Sequence, residues 1–249
     1  MSFVPFVRKN GGKHGMKKDM VIGVLGGMGT YATIHLFEQY AEMFPAEKEW
    51  DRPRIIIDNR CTMPSRVRAF MYHESVDQLR EEMTDSLIHL SNAGCTRILL
   101  ACNTSHLFLP GVYKLHPELQ EKIVHIIECC CERIKESGSN EVYLLGSEGT
   151  IDSGIYQEAL KKRGIACSCP KEEEYAMLRD CIEAVKQKKY SAQVKKVFLD
   201  LINRSDSCIL GCTELPILYD RYRDDVTCRK IYDPLLEGLR SIRREYENG

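Results

Sequence analysis

At 249 residues, with 43% hydrophobic and 29% charged side chains, the chain can build one large or two medium domains with an ample core. A net charge of −1 argues against nucleic acid or an anionic membrane as partner, and no apolar run approaches a membrane span. Twelve cysteines, with no Cys-x-x-Cys among them, fit neither a secreted disulfide framework nor a usual zinc site; they point to thiols in a reducing cytoplasm.

Residues 1–18 place a short apolar stretch (Phe3, Val4, Phe6, Val7) ahead of glycines and basic residues. That order is wrong for a signal peptide, and the segment reads as a mobile arm. Met20–Leu25 predicts a buried strand, and Gly26-Gly27-Met28-Gly29-Thr30 a glycine turn. Thr33 to Phe44 has helical periodicity. Arg54–Asp58 predicts a second strand, followed by a polar segment, Asn59 to Arg68. A helix is expected over Glu74–Ser91, stopped near Gly94. The apolar run Arg97–Leu100 then ends on Ala101-Cys102-Asn103-Thr104. After a break at Pro110, Gly111 and Pro117, Ile123–Ile127 reads as a strand leading into a helix that ends at Gly138.

The pattern then restarts. Glu141–Leu145 predicts a strand, Gly146-Ser147-Glu148-Gly149-Thr150 a turn, and Ile151–Lys162 a helix stopped at Gly164. A short strand over Ile165–Cys169 ends at Pro170, and helices follow over Glu172–Lys188 and Ser191–Asn203. Cys208-Ile209-Leu210 leads into Gly211-Cys212-Thr213-Glu214; a last strand covers Arg229–Tyr232 and a last helix Pro234–Glu247. Alternating strands and helices argue a parallel-sheet α/β protein. Leu25-Gly26-x-x-Gly29-Thr30-x-x-Thr33 matches Leu145-Gly146-x-x-Gly149-Thr150-x-x-Ser153, and the strand-Cys-turn unit also recurs. Two similar α/β/α domains related by a pseudo-two-fold duplication follow. Their expected bounds are 19–121 and 122–232, with a terminal helix over 233–247 that can pack back on the first domain.

Ligands of open α/β sheets bind beyond the carboxyl ends of the strands, where both cysteines fall. A thiol there is activated by helix N-termini and backbone N–H groups. Two thiols on opposite faces of one substrate suit stereochemical inversion, one removing a proton from carbon and the other returning one. The alternative is two inert, buried cysteines. Cys102 and His106 also lie close enough for a Cys-His nucleophile pair. Gly27-Met28-Gly29-Thr30-Tyr31-Ala32 fits the loose dinucleotide fingerprint, but a tight turn beside a small-ligand cleft explains better why the second half repeats it. Arg66, after the second strand, can hold a carboxylate in bidentate fashion.

In combination, Gly23-Val24-Leu25-Gly26-Gly27-Met28-Gly29, Cys102-Asn103-Thr104-Ser105-His106 and Gly211-Cys212-Thr213-Glu214-Leu215-Pro216 resemble the aspartate/glutamate racemase family, over Met20 to Glu247. The resemblance implies an interdomain active site, no cofactor, a small amino-acid substrate and commonly a homodimer. It implies that Cys102 and Cys212 are the acid/base groups, and that Met28, Gly29, Asn103, Thr104, Thr150, Thr213 and Glu214 line the substrate site. Arg66, with Lys186 in a similar role, would bind an acidic side chain. The chain departs from the family pattern at Thr30, Ser65 and Val67, which bears on substrate choice. Other enzymes of the fold, such as maleate cis-trans isomerase, and a non-catalytic amino-acid-binding protein remain as alternatives.

Overall fold

The computed structural model describes residues 19–248, so the arm assigned to 1–18 lies outside the described residues. Seven strands are present among them: β1 (Val21–Gly26), β2 (Arg54–Asn59), β3 (Arg97–Leu100), β4 (Glu141–Gly146), β5 (Ala166–Ser168), β6 (Ser207–Gly211) and β7 (Lys230–Tyr232). The first half carries helices α1 (Thr30–Met43), α2 (Arg66–Tyr72), α3 (Val76–Asn92) and α4 (Leu109–Leu115). The rest of the chain carries α5 (Ile126–Glu136), α6 (Glu148–Asp152), α7 (Ile155–Lys161), α8 (Tyr175–Gln187), α9 (Ala192–Ile202), α10 (Leu215–Tyr222) and α11 (Pro234–Asn248).

Two all-parallel sheets result, ordered β2-β1-β3 and β5-β4-β6-β7. The duplication is visible in that order, since β1 and β4 are each flanked by the next strand of their half and by the cysteine-bearing one. Parallel strands need both faces covered, which explains their near-continuous apolar runs. Ile22, Val24, Leu99 and Ala101 face a core that continues into the second half, whereas Leu25, Ile98 and Leu100 face α3 and α4. One side of the first sheet is therefore packed in common with the second domain. The terminal helix α11 lies against α1, α5 and β3, with Arg97 paired to Glu245 and the Tyr246 hydroxyl donating to the Asp51 carbonyl at 3.1 Å.

Three expectations change in detail. The strand expected over Ile123–Ile127 is a single parallel bridge, Ile98 to Ile123, in the place that β7 takes in the other sheet. The His125 ring accepts from the Glu128 N–H, so α5 starts at Ile126 and outcompetes the β-branched run. The helix expected over Ile151–Lys162 breaks at Gly154 (φ 69°), giving α6 and α7. The polar segment after β2 already ends in α2, capped by the Ser65 hydroxyl accepting from Arg68 N–H at 3.3 Å. His73 and Ser75, both left-handed, then turn the chain into α3.

Candidate active site

β1, β3, β4 and β6 all end at the junction of the two halves, and the residues beyond them converge. Gly211 is the last residue of β6, where a Cβ would stand 2.7 Å from Leu144 Cδ1 and 3.0 Å from the Leu145 carbonyl, so glycine permits the close packing of β6 on β4 and Cys212 follows at the strand mouth. Cys102 and Cys212, both half-buried, line one cavity of about 70 Å³. Of the residues expected there, Met28, Arg66, Asn103, Thr104, Lys186, Thr213 and Glu214 also line it. Gly29 and Thr150 stand behind this lining. A Cβ on Gly29 would lie 2.2 Å from Glu214 Oε1, so only glycine leaves room for that carboxylate. The Thr150 hydroxyl stands 2.9 Å from that of Thr104 and 3.0 Å from that of Ser147, a buried hydroxyl triangle joining the two halves.

The Cys212 thiol donates to Glu214 Oε2 at 3.0 Å, and Thr213 Oγ1 reaches the same oxygen at 3.5 Å. Burial, then the Glu214 carboxylate, push the Cys212 thiol well above the ordinary thiol range; Lys186 pulls weakly the other way. Cys212 therefore rests protonated. Burial disfavours the Lys186 ammonium, but Glu183, bonded at 2.7 Å, together with the Glu214 carboxylate, outweighs it and raises its pKa.

Around Cys102 the supports differ. Its carbonyl accepts from the Ser105 hydroxyl at 2.7 Å and from His106 Nδ1 at 3.0 Å. Burial, then the neighbouring His125, hold His106 down to about 3, so the ring is neutral, with its proton on the nitrogen facing that carbonyl. The Cys-His nucleophile pair suggested by spacing is thus not formed: the imidazole braces the backbone, not the sulfur. The Tyr156 hydroxyl donates to Asn103 Oδ1 at 2.5 Å, leaving the Asn103 amide nitrogen buried without a protein partner.

Arg66 lines the cavity with most of its donors in use. Its Nη1 donates to the Pro64 carbonyl at 3.0 Å and its Nη2 to the Met28 carbonyl at 2.8 Å, while its Nε is buried and unpartnered. The guanidinium thus also holds the glycine turn in place. Sequence reasoning did not assign Val67, Ser147 or Ile182 to the lining, nor Tyr156 to the layer behind it. They come from α2, the β4–α6 turn, α8 and α7, and no local motif announces which face those segments present. Ser65, Val67, Ser147, Ile182 and Lys186 also border a second cavity of about 250 Å³, walled by Tyr72 and Tyr175 and by the Arg179–Glu148 ion pair.

A family model described as Asp/Glu/Hydantoin racemase matches residues 25–242. The chain is 26% identical over 216 residues to the broad specificity amino-acid racemase RacX of Bacillus subtilis, covering 83% of this chain and 90% of that one. Among solved structures, the Picrophilus torridus aspartate racemase has a TM-score of 0.74 at 23% identity, over 91% of this chain and 97% of that one. A glutamate racemase from Francisella tularensis in complex with D-glutamate has a TM-score of 0.63 at 18% identity, over 92% and 81%. Both structural likenesses bear out the fold of two α/β domains with parallel sheets.

Proposed function

The chain belongs to the Asp/Glu/Hydantoin racemase family and is an amino-acid racemase, an isomerase, and from that premise we propose that it interconverts L- and D-aspartate or glutamate by proton transfer through Cys102 and Cys212. The observation that carries this reading is the pair of sulfurs lining one small cavity at matching strand ends of a duplicated frame. Cys212, resting as a thiol, delivers a proton to one face of Cα; the Cys102 thiolate takes the proton from the other. Turnover in the opposite direction exchanges these roles. Both transfers use sulfur alone, and no cofactor enters. The Asn103 amide nitrogen and Arg66 Nε, buried donors without protein partners, are suited to carboxylate oxygens. Such donors stabilise the negative charge that grows as the Cα proton leaves. Arg66 and Lys186 favour an acidic side chain. Two thiols that must stay unpaired suit a reducing compartment, the cytoplasm. Among the described residues no helix is long and apolar enough to cross a membrane. A homodimer belongs to the same reading, with Ile34 and Phe37 on the outer face of α1 as exposed apolar surface.

A second reading is favoured by the adjoining 250 Å³ cavity, whose Arg179 and Lys186 are already paired to carboxylates. In it, longer uncharged side chains enter past Val67 and Ile182. Deuterium incorporation at Cα in heavy water, across L- and D-amino acids of both kinds, tests both readings. Exchange with aspartate or glutamate supports the first, and exchange confined to longer neutral substrates supports the second. No exchange with any of them would overturn both substrate readings. A covalent adduct on one cysteine would instead mark isomerase chemistry of the maleate type.

A further inference from the structure

Away from the cleft, the edge strand β5 brings a second pair of sulfurs together. Cys167 lies in the strand and Cys169 directly after it. Residues two apart on a strand share a face; Ala166 and Ser168 are exposed, while Cys167 and Cys169 are half-buried on the side of α7. The Cys167 thiol donates to the Ser168 carbonyl at 3.9 Å, whereas Gln157 Nε2, from α7, donates to the Cys169 sulfur at 3.6 Å. The neighbouring Cys167, with the Gln157 amide, lowers the pKa of Cys169 against the opposing effect of burial, and the proximity of Cys169, with burial, raises that of Cys167. Cys130 and Cys208, by contrast, are sealed in the core.

We propose that Cys167 and Cys169 form a peroxide-reactive dithiol, a modification site separate from the racemase cleft, that closes to a disulfide within one strand end. The Cys169 thiolate attacks one oxygen of a hydroperoxide; the O–O bond breaks, hydroxide leaves and a sulfenic acid forms. Cys167 loses its proton to that hydroxide, giving water, and its sulfur attacks the sulfenic sulfur. The S–S bond forms as the S–O bond breaks, and a second hydroxide departs. The two sulfurs together lose two electrons, and the peroxide gains them. Alternate strand residues stand roughly 6.6 Å apart, near the upper Cα limit for a bridge, and the shorter Cβ separation of about 3.8 Å is reached by bending the chain at Ser168, where β5 ends. The resulting disulfide is strained and easily reduced, as a reversible modification requires.

The reduced full-length protein is treated with equimolar hydrogen peroxide, its remaining thiols are alkylated, and it is digested with trypsin. The peptide 164–171, bounded by Arg163 and Lys171, holds both cysteines and no other. It is expected to lose two hydrogens and escape alkylation on the order of tenfold faster than the exposed Cys61 is oxidised, reversibly with dithiothreitol. Cys167→Ser should accumulate a sulfenic acid at Cys169 that dimedone traps, whereas Cys169→Ser should leave Cys167 reduced over the same interval. Unchanged racemase activity reports that each variant is folded. The proposal is overturned if both cysteines stay alkylatable while Cys61 is oxidised, if either bridges to a third cysteine, or if Cys169→Ser oxidises as fast as the parent.

Discussion

The two cysteine half-sites share a backbone plan and differ in electrostatics. Each follows a buried parallel strand, ends on a small residue and leads into a short helical turn. Behind Cys102 the supports are neutral: a serine hydroxyl, an uncharged imidazole, and an asparagine held by a tyrosine. Beside Cys212 stands a buried carboxylate that accepts a hydrogen bond from its thiol. Duplication thus explains why two sulfurs meet in one cavity, while divergence of the flanking residues makes the Cys212 thiol hold its proton. A two-base device needs that inequality, since two thiols or two thiolates would each leave one step undone.

The largest effect expected is loss of either sulfur. Cys102→Ser and Cys212→Ser should each lower racemization by about a thousandfold or more, followed by circular dichroism. The asymmetry predicts more than inactivity. With one sulfur intact, solvent deuterium should still enter Cα of a single enantiomer with retention, and the two variants should choose opposite enantiomers. Both variants serving the same enantiomer would break the picture of two half-sites on opposite faces.

The neutral imidazole behind Cys102 gives the next effect, on stability. Its pKa is lowered from the ordinary 6.5 to about 3. Stability from this group is therefore fully present above the unfolded value and lost as pH falls from there toward 3, because only the unfolded chain gains the proton. Between neutral pH and pH 4 the loss attributable to His106 is on the order of 3 kcal/mol. Urea unfolding at the two pH values should show His106→Asn losing less over that interval than the parent. Equal losses would mean that the imidazole is not the neutral brace described.

Much of this arrangement is legible in the chain because it is local. The repeated Leu-Gly-x-x-Gly-Thr and the two strand-Cys turns are short motifs, and alternating apolar runs announce the parallel sheets. The segment Ile123–Ile127 shows the limit: its β-branched residues favour a strand, but a histidine cap starts the next helix at Ile126 and leaves a single bridge at Ile123. Arg66 marks another limit. Its charge could be read from the chain, but the carbonyls of Met28 and Pro64 that occupy its Nη atoms depend on the path of the backbone. Tyr156, Val67 and Ile182 reach the site only through packing between helices.

On the Cys212 side, Gly29→Ala would force Glu214 to move, since the new methyl would lie 2.2 Å from its Oε1. A fall in kcat/KM of tenfold to a hundredfold, roughly, is expected, with the fold preserved by circular dichroism. Retained activity would show that the placement of Glu214 matters little and that the inequality of the half-sites has another origin.

The subtlest test leaves the shape alone and removes only charge. After burial, the Glu214 carboxylate is the next largest influence raising the Cys212 thiol. In Glu214→Gln that thiol should lose its proton at lower pH. In the proposed two-base mechanism the competent free enzyme carries one proton between its two sulfurs, so activity ends on the alkaline side when the second sulfur also ionises. The alkaline limb of kcat/KM should therefore move down by about one pH unit, with a loss of about fivefold at the original midpoint that approaches about tenfold above it. Because L and D forms are equally stable, kcat/KM is the same in both directions at every pH, and the limb must shift equally for the two enantiomers. A uniform loss with no displacement would make Glu214 a packing residue, and an upward displacement would reverse the assignment of the resting proton to Cys212.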